Sequence, residues 1–123
     1  GAPQPGLESV GDLITQARAA GLSVTYELNG DPEAVPAAQA LTAYRVIQEA
    51  VVNTLRHANA RTLTIRVHAK AETLDIEVTD DGPATDYTPG HGLTGMRERV
   101  TAIGGTLRID TTSGFTVHAV LPA

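Results

Sequence analysis

Three separated stretches of the chain carry residue types that make chemical sense together. Glu49-Ala50-Val51-Val52-Asn53 sets a carboxylate and a carboxamide one helical turn apart in an otherwise apolar run. Asp80-Asp81-Gly82 puts an acidic pair and a glycine at the end of a strand-like alternation. Gly90-His91-Gly92-Leu93-Thr94-Gly95 is a glycine-rich loop that runs straight into a helical pattern. A carboxylate can orient or deprotonate a nucleophile, and an amide oxygen can hold Mg²⁺. Unhindered glycine N–H groups at a helix N-terminus make an anion site suited to phosphates. These are the parts that an ATP site needs.

Taken singly, each stretch has a plainer reading. At about 100° per residue, Glu49, Asn53 and His57 fall on one side of the long helix, with Arg56 beside them. Tyr44, Ile47, Val51 and Leu55, bordered by Leu41 and Val52, form the expected core stripe on the other side. A solvated helix face is the ordinary explanation, but Asn is a poor helix-interior residue and no cap is needed there. Asp81-Gly82 alone is a common turn signal. Asp80 is expected at a sheet end, its carboxylate accepting from an exocyclic amine such as that of adenine, with Gly82 allowing close approach of the ring. Gly90-x-Gly92-x-x-Gly95 looks like a dinucleotide fingerprint, but that motif needs a strand immediately before it and an acidic residue about 20 positions on. A long loop precedes it here.

His57, His68, His91 and His118 lack metal-cluster spacing. His68 and His118 are expected at the surface of strands, and His91 reads equally as a phosphate contact or an exposed loop residue. Arg97-Glu98-Arg99 reads as a charge-paired helix face, with Arg97 near enough to the glycine loop to be of interest. No Ser/His/Asp arrangement is legible.

The elements that must position these residues follow from periodicity. Leu7, Val10, Leu13, Ile14 and Ala17 recur at helical spacing, with Gly21 as the stop. Leu22, Val24, Tyr26 and Leu28 alternate as a half-buried strand, and Asn29-Gly30-Asp31-Pro32 is a turn cluster. The longest helix runs from about Pro36 to Ala58. Leu63–Val67 and Leu74–Val78 alternate as an antiparallel hairpin. Residues 80–92 read as a loop, Leu93–Ile103 as a helix ended by Gly104-Gly105, and 106–109 and 115–120 as strands joined at Ser113-Gly114. The order α-β-α-β-β-loop-α-β-β implies an α/β two-layer sandwich, a mostly antiparallel mixed sheet with helices on one face.

At 123 residues the chain suffices for one core, from residue 7 to 123. Residues 1–6 read as a flexible lead-in, either vector-derived or, the preferred reading, a linker cut from a longer protein. A hydrophobic content of 41% and charged content of 19% are those of an ordinary soluble domain. Aromatics reach only 3%, so Val, Ile, Leu and Ala must build the core. A net charge of −5 argues against a nucleic-acid surface. The lack of cysteine removes thiolate and zinc–cysteine chemistry and fits a cytoplasmic setting. No apolar run approaches the roughly 20 residues of a membrane span, so no membrane contact by this domain is expected.

The residues 43–58, Ala43 through Asn53 to Ala58, resemble the N box of the GHKL superfamily, in the form found in sensor histidine kinases that partner NarL-type response regulators. Val78-Thr79-Asp80-Asp81-Gly82 resembles its first glycine box. Gly90 to Val100, with its Gly-Met-Arg-Glu-Arg run, resembles the second glycine box of that subgroup. The resemblance covers nearly the whole chain from about Leu7. It implies a Bergerat-type ATP-binding fold. It also implies roles: Glu49 as the catalytic acid position, Asn53 as the Mg²⁺ ligand and Asp80 as the adenine contact. Arg56, His57, Gly82, Gly90, His91, Gly92, Leu93 and Gly95 are implied as further nucleotide contacts.

Relatives commonly carry Asp-x-Gly-x-Gly in the first glycine box, whereas this chain has Pro83 and Ala84 where the motif ends. A stiffer lid or weaker nucleotide binding is the expected consequence. The helical hairpin with a phosphoacceptor histidine that such kinases carry ahead of this domain is not among these residues, and His57 belongs to the N box. The chain is therefore expected to be a catalytic domain that binds Mg·ATP. Its γ-phosphoryl group would go to a histidine on an adjacent dimerisation domain, for relay to a NarL-type regulator. An anti-sigma-factor serine kinase and a degenerate nucleotide-sensing module are the alternatives.

Overall fold

The computed structural model describes residues 4–56, 59–83 and 91–123, and for His91 the backbone alone. After a 3-10 turn at Leu7–Ser9 come α1 (Val10–Ala19), β1 (Ser23–Gly30), a second 3-10 turn at Pro32–Ala34, and α2 (Ala37–Arg56). They are followed by β2 (Thr62–Ala69), β3 (Thr73–Asp80), α3 (His91–Ala102), β4 (Thr106–Asp110) and β5 (Phe115–Pro122). The strands form one five-stranded sheet in the order β1-β2-β3-β5-β4. β1 and β2 are parallel and the other neighbours antiparallel. The α/β two-layer sandwich expected from the element order is the fold.

Strict alternation produces the two faces of the sheet. Leu63, Ile65 and Val67 on β2, Leu74, Ile76 and Val78 on β3, and Val117, Ala119 and Leu121 on β5 are buried beneath the helices. The opposite face is polar. Arg66 pairs with Glu27 at 3.2 Å and with Glu77 at 3.4 Å, and Thr79 and Thr116 exchange a hydroxyl contact at 3.1 Å. Exposed pairs of this kind contribute little to stability; the apolar layer holds the domain. Val10, Leu13, Ile14 and Ala17 of α1 and Leu93, Met96 and Val100 of α3 complete it from either side of α2.

Helix α2 is turned about its axis relative to the stripe expected from its largest apolar residues. Ala43, Val46, Ile47, Ala50, Val51 and Thr54 face inward, whereas Tyr44 is half-buried and Leu55 is 40% exposed. A helix lying close on a sheet packs best through small side chains, so the alanines take the inner positions and Tyr44 the flank. The rotation moves Glu49 and Asn53 from an outer face to the half-buried margins of the core.

The glycine run also differs from expectation. β3 continues through Asp80, and α3 opens at His91 rather than Leu93, so Gly92 and Gly95 lie within the helix and not in a loop ahead of it. His57, Ala58, Ala84 and Gly90 fall outside the described residues.

Candidate functional site

Asp80 ends β3 and is only 8% exposed. Its place in the register, opposite Leu63 and Phe115, puts its side chain on the helix-covered face. A buried carboxylate needs partners. The Gly82 N–H donates to its Oδ1 at 2.9 Å, and the Thr54 hydroxyl lies 3.0 Å from its Oδ2. The same hydroxyl is 2.9 Å from the Ala50 carbonyl. One proton thus lies between two acceptors, of which a charged oxygen is the stronger. The contact ties the helix that carries Glu49 and Asn53 to the strand end that carries Asp80.

Two glycines pack on that strand end. A Cβ at Gly82 would sit 3.2 Å from Asp80 Oδ1 and 3.3 Å from the Ala60 methyl. Gly114, in the β4–β5 turn, has φ +87° and rests against the Asp80 carbonyl, where a Cβ would collide. Its Ser-Gly turn was legible in the sequence; its contact with Asp80 was not, because it joins residues far apart in the chain.

Asp81 serves a different purpose. Its Oδ1 accepts from the backbone N–H of Arg61 at 2.7 Å and of Thr62 at 2.9 Å. The bonds from Thr62 and then Arg61 hold its carboxyl below the usual range. It is exposed and fastens the start of β2. The acidic pair therefore divides between a buried carboxylate facing the helices and an exposed one that fastens β2.

Glu49 faces α3. A Cβ built at Gly92 would strike the Glu49 carboxylate, its carbon 2.5 Å away. Glu49, Gly92 and Gly95 line a groove of about 190 Å³ between α2 and α3, together with Arg45, Gln48, Met96 and Arg99. Among the described residues the side chains of Glu49, Asn53 and Arg56 make no hydrogen bond or ion pair, so their polar atoms are available to a ligand. Leu93 is buried and packs in the core. Arg97 is engaged with β4: its Nη1 donates to the Leu107 carbonyl at 2.9 Å and clamps α3 to that strand. Arg99, which drew no separate notice in the sequence, reaches the groove instead.

Among the described residues no group of three His, Cys, Asp or Glu could hold a metal ion. His68 is exposed, and half-buried His118 places Nδ1 3.0 Å from Arg108 Nη2 on the open sheet face. A resident all-protein metal cage does not fit these donors. A Mg²⁺ ion that leans on substrate phosphates and one unpaired amide oxygen, that of Asn53, does fit.

Residues 38–123 match the family described as histidine kinase-, DNA gyrase B-, and HSP90-like ATPase. The chain is 43% identical over 95 residues to the signal transduction histidine-protein kinase/phosphatase UhpB of Salmonella typhimurium, covering 75% of this chain and 19% of that protein. It is 36% identical to the sensor histidine kinase YxjM of Bacillus subtilis over 95% of this chain and 30% of that protein. Its fold superposes on the blue-light activated histidine kinase of Erythrobacter litoralis EL346 with a TM-score of 0.71 at 23% identity, covering 96% of this chain and 45% of that one. The chain thus spans under a third of these two sequence relatives. It belongs to the histidine kinase-, DNA gyrase B-, and HSP90-like ATPase family.

Proposed function

We propose that this chain is the ATP-binding catalytic domain of a two-component sensor histidine kinase. The observation that carries the reading is that α2, which holds Glu49 and Asn53 one turn apart, is tied through Thr54 to Asp80 at the end of β3, while Glu49 packs against Gly92 of α3. Support also comes from relatives named as a signal transduction histidine-protein kinase/phosphatase and a sensor histidine kinase.

In this reading Asp80 selects adenine by accepting from its exocyclic amine, with Thr54 and the Gly82 N–H holding the carboxylate in place. Arg56, exposed at the end of α2, is assigned to the phosphates. Magnesium, when bound with the nucleotide, neutralises phosphate charge, and Asn53 is the residue that would hold it. Glu49 orients the acceptor imidazole and takes its proton. The bond between the γ-phosphorus and the bridging oxygen breaks, a phosphorus–nitrogen bond forms, and ADP leaves. Such transfer is chiefly positioning and charge stabilisation. The acceptor histidine belongs to a helical dimerisation domain outside these residues, and relay to a NarL-type regulator follows in the full-length protein. A domain working on such a partner operates at the cytoplasmic side.

The test is labelling with radioactive ATP. The chain alone is expected to stay unlabelled. Adding the cognate helical domain should give an acid-labile, base-stable phosphate on histidine. Stoichiometric labelling of the chain by itself, or an acid-stable phosphate on a protein partner, would refute the reading.

A further inference from the structure

The groove between α2 and α3 holds more charge than nucleotide chemistry accounts for. Beside Glu49 it presents Arg45 and Arg99, in a domain whose net charge is −5. Arg45 is held in place: its Nη1 donates to Gln48 Oε1 at 2.9 Å, and its guanidinium carbon lies 5.6 Å from the centre of the Tyr44 ring. Arg99 makes no hydrogen bond or ion pair with any described residue. Among the described residues neither guanidinium meets a carboxylate within salt-bridge distance, and toward them Arg45 keeps most of its five N–H donors unspent and Arg99 all of them.

Gly95 adds an independent observation. It lies inside α3, where glycine is less favourable than alanine by about 0.8–1.0 kcal/mol. Among the described residues a Cβ there would meet nothing within 4 Å, so their packing gives no reason for glycine, in contrast to Gly92. What glycine does provide is an unobstructed wall for something that approaches from outside. The groove's volume, about 190 Å³, is below the roughly 300–1,000 Å³ of small-molecule pockets. It suits a single side chain better than a nucleotide.

We infer that this groove docks the phosphoacceptor segment through a carboxylate side chain. Arg45 and Arg99 grip an aspartate or glutamate carried near the acceptor histidine, and Gly95 lets that segment's backbone come close. The imidazole is thereby seated at Glu49. Paired guanidinium forks suit a planar carboxylate and impose direction as well as affinity. The arginines are positioning residues, acting through the placement of the acceptor. The inference rests on the function proposed above, because the acceptor is that reaaction's substrate.

The experiment uses the full-length kinase and two double variants, R45E/R99E and R45Q/R99Q, the second keeping the side-chain stems. Two quantities are read: the rate of histidine phosphorylation and the affinity for a fluorescent ATP analogue. Both variants should phosphorylate at least about tenfold more slowly, as expected when one side of a charge pair is removed. Analogue affinity should stay within about twofold, since uniform binding is untouched. Replacing the acceptor-side carboxylate with lysine should slow wild type and partly restore R45E/R99E. Analogue affinity falling in step with the rate would assign the arginines to the nucleotide and overturn the inference, as would unchanged rates in both variants. Wild-type kinase that forms no phosphohistidine would overturn the underlying function itself.

Discussion

The carboxylate of Glu49 occupies the space that a side chain would take at Gly92. A residue of the N box and a residue of the second glycine box, far apart in sequence, thus define one wall between α2 and α3. Gly92→Ala should therefore displace Glu49 without loosening the fold, since a glutamate end can swing away and alanine favours helix by up to about 1 kcal/mol. The melting temperature should hold or rise, while histidine phosphorylation by the full-length kinase falls about tenfold or more, equivalent to 1.4 kcal/mol. Differential scanning fluorimetry beside a labelling assay separates the two. A melting temperature that drops with the activity would mean that the backbone, and not Glu49, absorbs the clash.

Asp80 should set base selectivity. Asp80→Asn puts an amide donor where the exocyclic amine donates, which leaves polar groups unpaired at about 1–3 kcal/mol, or roughly tenfold and more in ATP affinity. Calorimetry with ATP and GTP checks it, and equal binding of both nucleotides by wild type and variant would remove Asp80 from the role. Thr54→Val removes the hydroxyl 3.0 Å from Oδ2 and should weaken ATP binding less than Asp80→Asn does.

Asn53 lies at a half-buried margin of α2, its amide without a partner among the described residues. Asn53→Ala should leave the circular dichroism spectrum and melting temperature close to wild type. Magnesium-dependent phosphoryl transfer should disappear in the full-length kinase. Full activity at ordinary magnesium concentrations would show that the amide holds no ion.

Gly114→Ala tests the support behind Asp80. Its φ of +87° and its contact with the Asp80 carbonyl leave no room for a methyl group. A loss of at least about 1–2 kcal/mol is expected from the backbone conformation alone, with ATP affinity reduced as the strand end shifts. Urea unfolding at constant m-value gives the first number and calorimetry the second.

Asp81 gives the stability of the domain an acidic limb. Its carboxyl is held low by backbone donors at the start of β2, Thr62 first and Arg61 second. A folded-state value below the unfolded one means that the carboxylate stabilises the fold above the unfolded value, near about 3.9. That stabilisation is lost as pH falls through the folded value. The melting-temperature gap between wild type and Asp81→Ala should be full at neutral pH and close below about pH 4. A gap that persists unchanged at low pH would assign the effect to packing.

Alternation of apolar residues was enough to establish every strand, the hairpin of β2 and β3, and the two-layer architecture, because a period of two can bury only one face of a sheet. Three short motifs were enough to nominate Glu49, Asn53 and Asp80, since each needs only a residue type at a set spacing along one element. What lay beyond the sequence was the rotation of α2. Size and hydropathy favoured Tyr44 and Leu55 as core, but close packing on the sheet selected Ala43, Ala50 and Thr54. The inward turn also brings the Thr54 hydroxyl to Asp80, and that is a contact between elements. The division of Asp80 from Asp81, the diversion of Arg97 to β4 and the opening of Arg99 onto the groove have the same origin. Local spacing decides which side chains share a face; only the packed neighbours decide what that face meets.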